Sequence, residues 1–159
     1  MNARMTNPAD PSGPQILAGD QRVQGVELGA AGRLAPAWTV TAGYTWMDSE
    51  VLAGAAADVG NPLPNTPRHT ATVWTAYTLP WRSVELGAGG RYVGERFVRG
   101  AFWVPAYTAF DATAAVPVTR ALTVRLNVYN LTDALYYDTG RFWVPAPARS
   151  ARLTADVAF

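Results

Sequence analysis

Side chains that could carry out chemistry are few in this sequence of 159 residues, and they are scattered along it. The chain has one histidine, His69, and no cysteine, which excludes thiolate metal sites and gives little support to any other metal site. No Ser-His-Asp arrangement or pair of carboxylates indicates catalysis. The net charge is +1, without a basic patch that would indicate nucleic-acid binding. We therefore expect no enzyme activity, no metal or cofactor, and no nucleic-acid partner.

The charged residues nevertheless follow a regular pattern. Only 16% of the residues are charged, against about 25% in a typical soluble domain, while 49% are hydrophobic. Charged and small polar residues fall at every second position of segments whose other positions are apolar, which is the period of a β-strand. The charges that this alternation places on the polar sides of their strands include Glu27, Arg33, Glu85, Arg91, Asp111 and Arg125.

Seven segments show this alternation, and none has the period of 3.6 residues that is typical of an amphipathic helix. Trp74 is an exception, because it lies on the polar side of its segment. The pattern predicts an all-β fold, an antiparallel up-and-down meander of about seven strands. The predicted strands cover residues 21–33, 38–49, 69–79, 83–93, 107–116, 121–130 and 149–159.

The predicted connections alternate strictly in length. Those at 34–37, 80–82 and 117–120 are short, whereas those at 50–68, 94–106 and 131–148 are long. Outer-membrane barrels have short periplasmic turns and long extracellular loops. The apolar sides of the seven strands carry no charged residue, and such a charge would cost about 2–4 kcal/mol at the bilayer midplane. No run of about 18 apolar residues could form a spanning helix.

Aromatic residues cluster near both ends of the predicted strands. Two such belts are expected where a barrel meets the two membrane interfaces. We therefore predict that the meander is part of a larger transmembrane β-barrel. The belts consist of Trp38, Tyr77, Trp81 and Phe159 near the short turns, and of Tyr44, Trp46, Tyr92 and Phe110 near the long loops.

The order of these segments resembles the C-terminal barrel strands of TonB-dependent outer-membrane receptors, over about residues 14–159. Within that family, the catecholate- and ferrichrome-type siderophore receptors are the most similar. The resemblance is carried by GVELGAAGRLAPAWTVTAGYTWMDS, NTPRHTATVWTAYTL, GAGGRYVGER, FDATAAVPVTRALTVRLNVYNLTDALYY and RLTADVAF, which ends in Phe159.

The resemblance implies a 22-stranded barrel with a plugged lumen. Residues 1–15 would end an extracellular loop, and residues 16–159 would be the last barrel strands. The partners implied are outer-membrane lipid, the remaining strands, a plug domain, the TonB system and a ferric siderophore. The family's plug, TonB-contacting segment and signal peptide do not match this chain, so we expect a fragment of a siderophore importer that is inactive alone.

Three groups of candidate functional residues follow from the resemblance. Phe159, with Val157 and Leu153, resembles the signal that the barrel-assembly machinery reads. The charges named above would line the lumen, where Arg91 and Arg125 could attract anionic ligands, although pairing with lumen carboxylates is the expectation. Loop aromatics could contact an aromatic siderophore or could pack within the loops; these are Phe102, Trp103, Phe142 and Trp143.

Two other interpretations are compatible with alternation alone. A small porin-like barrel would need an even number of at least eight strands, and an open sheet would leave unpaired edges. A soluble β-barrel that binds a small molecule alternates in the same way, with its apolar face inward.

Overall fold

The structure, a computed structural model, describes residues 2–5, 12–14, 16–100, 102–139 and 144–159. Within these ranges, no helix is long and apolar enough to cross a membrane. The strands are β1 (Asn2–Met5), β2 (Ile16–Ala35), β3 (Trp38–Ala53), β4 (His69–Leu79), β5 (Val84–Val93), β6 (Arg96–Arg99), β7 (Phe102–Val104), β8 (Tyr107–Pro117), β9 (Leu122–Tyr129), β10 (Tyr137–Thr139), β11 (Val144–Pro145) and β12 (Ser150–Val157).

Eight strands form one antiparallel sheet in the order β1-β2-β3-β4-β5-β8-β9-β12, so neighbours in the sheet follow one another along the chain. This confirms the predicted all-β meander, with β1 added beside the first of its seven strands. The first two of those strands extend further than predicted, since β2 begins at Ile16 and β3 ends at Ala53. The long loops, named loop A (54–68), loop B (94–106) and loop C (130–149), contain two further hairpins, β6–β7 and β10–β11.

The strand register gives the sheet two chemically different faces. Residues directly opposite one another in an antiparallel ladder point to the same side. One cross-strand row therefore identifies the side that we name the polar face: Arg33, Thr39, Ala76, Gly87, Thr113, Asn127 and Arg152. The other side, which we name the apolar face, carries the alternate residues, including Leu28, Val73, Leu86, Phe110, Leu126 and Leu153.

Aromatic residues lie at both ends of the apolar face. Trp38 pairs with Tyr77 near the short turns, and Trp46 pairs with His69 near the long loops. Beyond Trp46 the same face of β2 and β3 becomes charged, and Arg22 forms an ion pair with Glu50 at 2.6 Å. Between the two aromatic rows, the apolar face of the described strands carries no charged residue.

The tightest packing lies in the loops and not between the strands. In the described part of the chain, only six hydrophobic residues are buried, and four of them, Val51, Phe97, Val104 and Tyr136, belong to the loop end of the sheet. Large residues of the apolar face are solvent-exposed instead, as is expected of a surface that another medium must cover.

Candidate functional site

The loop aromatics predicted from sequence are only partly described. Phe142 and Trp143 lie outside the described residues. Phe102 and Trp103 lie on β7 in loop B, and Phe102 is 63% exposed. Trp103 packs edge-on against Phe97, with 5.4 Å between ring centroids. Its indole also lines a cavity of about 170 Å³ between the end of β3 and loops A and B.

Arg96 lies at the centre of the contacts among loops A, B and C, a position that its sequence pattern did not predict. It is 5% exposed. Its Nη1 donates hydrogen bonds to Asn65 Oδ1 of loop A at 3.2 Å and to the Asp138 carbonyl of loop C at 2.8 Å. Its Nη2 donates to the Tyr137 carbonyl, also in loop C. In the sequence, Arg96 is hard to distinguish from Arg99 of the same strand, and only the structure shows that Arg96 is buried together with Phe97.

The six predicted lumen charges all lie on the polar face, but they do not converge on one point. Arg125 Nη1 and Glu85 Oε1 form an ion pair at 3.2 Å. Asp111 Oδ1 accepts a hydrogen bond from the backbone N–H of Asn130 at 2.8 Å. In the part of the chain that the structure describes, Glu27 and Arg33 have no ion-pair partner.

Arg91 contacts two tyrosines instead of a carboxylate. Its Nη2 donates a hydrogen bond to Tyr136 Oη at 2.6 Å. The Tyr136 ring stacks on Tyr107, with centroids 4.1 Å apart and planes inclined by 16°. The guanidinium carbon lies 5.5 Å from the Tyr136 ring centroid and 5.9 Å from that of Tyr107. Burial raises the pKa of the Tyr136 phenol. Loop C is thus anchored to the polar face of β5 and β8.

Asn130 closes the base of loop C. It is 3% exposed and adopts the left-handed conformation, with φ of 51°. Its Nδ2 donates to the carbonyls of Ala134, at 2.9 Å, and Pro147, at 3.3 Å, and its Oδ1 accepts from the Ala134 N–H at 2.9 Å. One side chain therefore holds both ends of loop C together.

The predicted assembly residues lie at the free edge of the sheet. Leu153 and Val157 belong to β12 and point to the apolar face, where they are 70% and 63% exposed. Phe159 follows the last strand and is fully exposed.

No group of three or more potential metal-ligating side chains occurs among the described residues. His69 Nδ1 is instead 2.8 Å from Tyr44 Oη, at the aromatic row of the apolar face.

Known proteins with similar sequences are receptors. A probable TonB-dependent receptor, BfrD of Bordetella pertussis, is 38% identical over 92% of this chain and 22% of its own length. The catecholate siderophore receptor Fiu of Escherichia coli K12 is 37% identical over 89% of this chain and 20% of its own length. The chain thus spans about a fifth of the length of these relatives.

Solved structures of such receptors share the fold. The siderophore receptor PiuA of Acinetobacter baumannii superposes with a TM-score of 0.85 at 30% identity, over 98% of this chain and 24% of that one. The closed form of Fiu from E. coli K12 gives a TM-score of 0.78 at 33% identity, over 99% of this chain and 23% of that one. The family described as TonB dependent receptor-like, beta-barrel matches residues 2–131. This chain therefore belongs to the TonB-dependent receptor β-barrel family.

Proposed function

We propose that the chain forms the C-terminal strands of a receptor in the outer membrane of a Gram-negative bacterium, and that this receptor imports iron–siderophore complexes. The observation that carries the proposal is the 37% identity to a catecholate siderophore receptor over 89% of the chain. In this arrangement the apolar face meets lipid and the polar face lines the lumen. The loops face the outside, where Phe102 and Trp103 would contact a ferric siderophore.

The chain would work only together with other parts of a barrel. Strands β1 and β12 both leave an unpaired edge, and lipid does not tolerate such edges. We propose that further barrel strands close the sheet, that a plug domain packs against the polar face, and that energy reaches the receptor through the TonB system. No catalytic step belongs to this function.

Growth under iron limitation tests the proposal. The gene that encodes this chain is deleted in its host, which is then supplied with a ferric catecholate complex as its only iron source. We expect slower growth and loss of radioactive iron uptake, with normal growth when soluble iron salts are in excess. Collapsing the proton gradient of the wild type should abolish the same uptake. Unchanged uptake in the deletion strain, for catecholate and other siderophore classes alike, would refute the proposed function.

A further inference from the structure

The three long loops are connected through one buried guanidinium. Arg96 belongs to loop B, and its acceptors are a side-chain oxygen of loop A and two backbone carbonyls of loop C. These partners lie 31, 42 and 41 residues away in the sequence. A backbone bond reinforces the first connection, because the Asn65 N–H donates to the Phe97 carbonyl at 2.7 Å.

Arg96 has no carboxylate partner among the described residues. The ion pairs found there involve other arginines. Its Nε is buried and makes no hydrogen bond there. Arg96 is 5% exposed, so neutral oxygens from loops A and C replace the water that would otherwise solvate the charge of its guanidinium. Leaving a charged donor buried without acceptors is strongly unfavourable, so withdrawal of one loop destabilises the arrangement of the other two.

Loop B also carries the exposed aromatic residues. Phe97 of β6 and Val104 of β7 lie in this hairpin and are 3% and 0% exposed, whereas Phe102 near its tip is 63% exposed. The hairpin thus has a buried base, fixed by Arg96, and an exposed aromatic end. Arginine suits this role because its planar fork can donate in several directions at once, which a lysine ammonium on a flexible stem does less well.

We propose that Arg96 is a positioning residue that joins loops A, B and C into one cooperative unit, which in turn holds Phe102 and Trp103 in place for a ligand. The ligand part of this statement rests on the proposed function; the joining of the loops does not.

Hydrogen–deuterium exchange of the intact receptor without ligand tests the joining. Arg96→Lys keeps the charge but not the fork, and Asn65→Gly removes one acceptor while tolerating the left-handed backbone at that position, where φ is 60°. With Arg96→Lys, we expect amides in 61–66 and 137–139 to exchange at least tenfold faster. With Asn65→Gly, both segments should change in the same direction by a smaller factor. Arg99→Lys, at an exposed position of the same hairpin, is the matched control and should change neither segment.

If amide exchange became faster only in residues 96–104 in both variants, the proposal would be overturned, since Arg96 would then stabilise only its own hairpin. If Arg96→Lys prevents assembly, Asn65→Gly alone decides the matter by the same criterion.

Binding of a ferric tris-catecholate complex is then measured separately. If the wild-type receptor binds it, Arg96→Lys should accelerate its dissociation at least fivefold, and an unchanged rate would overturn the ligand part. If the wild type does not bind ferric siderophores at all, the proposed function fails, whereas the exchange result still decides on the loop unit.

Discussion

Glu85 and Arg125 form an ion pair across an intervening strand of the polar face, with 3.2 Å between Oε1 and Nη1. Ala115 of β8 is the direct cross-strand partner of both residues and is 4% exposed. Because the Ala115 side chain is small, the longer side chains of Glu85 and Arg125 can meet over it. This contact connects strands that are not neighbours in the sheet.

The ion pair should contribute little to stability. The side chains are 44% and 36% exposed, so solvent screening limits the interaction to less than about 1 kcal/mol. We expect Glu85→Gln and Arg125→Gln each to lower the heat-unfolding midpoint of the purified receptor only slightly. The decrease in the double variant should be smaller than the sum of the two single decreases. A larger, fully additive loss would show that the two residues act separately. Ala115→Leu should destabilise more, by about 1–3 kcal/mol, because it overpacks the site.

The Trp74 ring covers two glycines of β5, which explains its place on the polar face. A Cβ at Gly89 would lie 2.4 Å from Trp74 Cε3 and equally close to the Val73 carbonyl oxygen. We therefore expect Gly89→Ala to reduce folded receptor in outer-membrane fractions and to lower its unfolding midpoint. Gly29→Ala, at a strand position of the same face with no atom within 4 Å, is the control. Equal behaviour of the two variants would contradict the steric argument.

Tyr136→Phe should weaken the anchoring of loop C. The change removes the 2.6 Å hydrogen bond from Arg91 but keeps the ring that stacks on Tyr107. Hydrogen bonds to charged groups contribute about 1.5–3 kcal/mol, and we expect the lower end because the site is only part-buried. Limited proteolysis of intact cells should cut loop C faster than in the wild type. Tyr129→Phe, which alters an exposed tyrosine, should leave the cleavage rate unchanged.

Two substitutions at Asn130 separate its backbone conformation from its side-chain bonds. Asn130→Gly tolerates φ of 51° but loses the side-chain hydrogen bonds to Ala134 and Pro147. Asn130→Ala loses the same hydrogen bonds and also places a Cβ in the left-handed conformation. A non-glycine residue in the left-handed region costs roughly 1–2 kcal/mol, so the alanine variant should be the less stable by about that amount. Thermal unfolding of the purified receptor measures the difference. Equal stability would show that the backbone conformation carries no cost here.

Phe159→Ala should affect assembly more than stability. Because the Phe159 side chain is fully exposed, its removal leaves no cavity in the described structure. We expect less receptor in the outer membrane and an unchanged unfolding midpoint for the fraction that assembles. Phe159→Tyr retains an aromatic terminus and should restore the yield. Normal assembly of the alanine variant would remove the proposed role as an assembly signal.

Alternation and loop length were sufficient to predict the sheet. The period of two places a residue on one face or the other without knowledge of its neighbours, so the assignment of Glu85 and Arg125 to one face required no coordinates. Strand ends were harder to predict: β3 continues beyond Ser49 to Ala53 and still pairs with β2 there. The position of its end depends on the partner strand, because β2 begins as early as Ile16.

The amino-acid pattern by itself thus determined the meander, its two faces and the end at which the loops gather, because these depend on contacts between adjacent strands. The tertiary structure alone decided that Arg91 meets Tyr136 and that Arg96 meets Asn65, Tyr137 and Asp138. Those partners lie in the long loops, 31 to 45 residues away in the sequence. No periodicity relates such segments, since their conformation is set by which buried donors and acceptors they satisfy in one another.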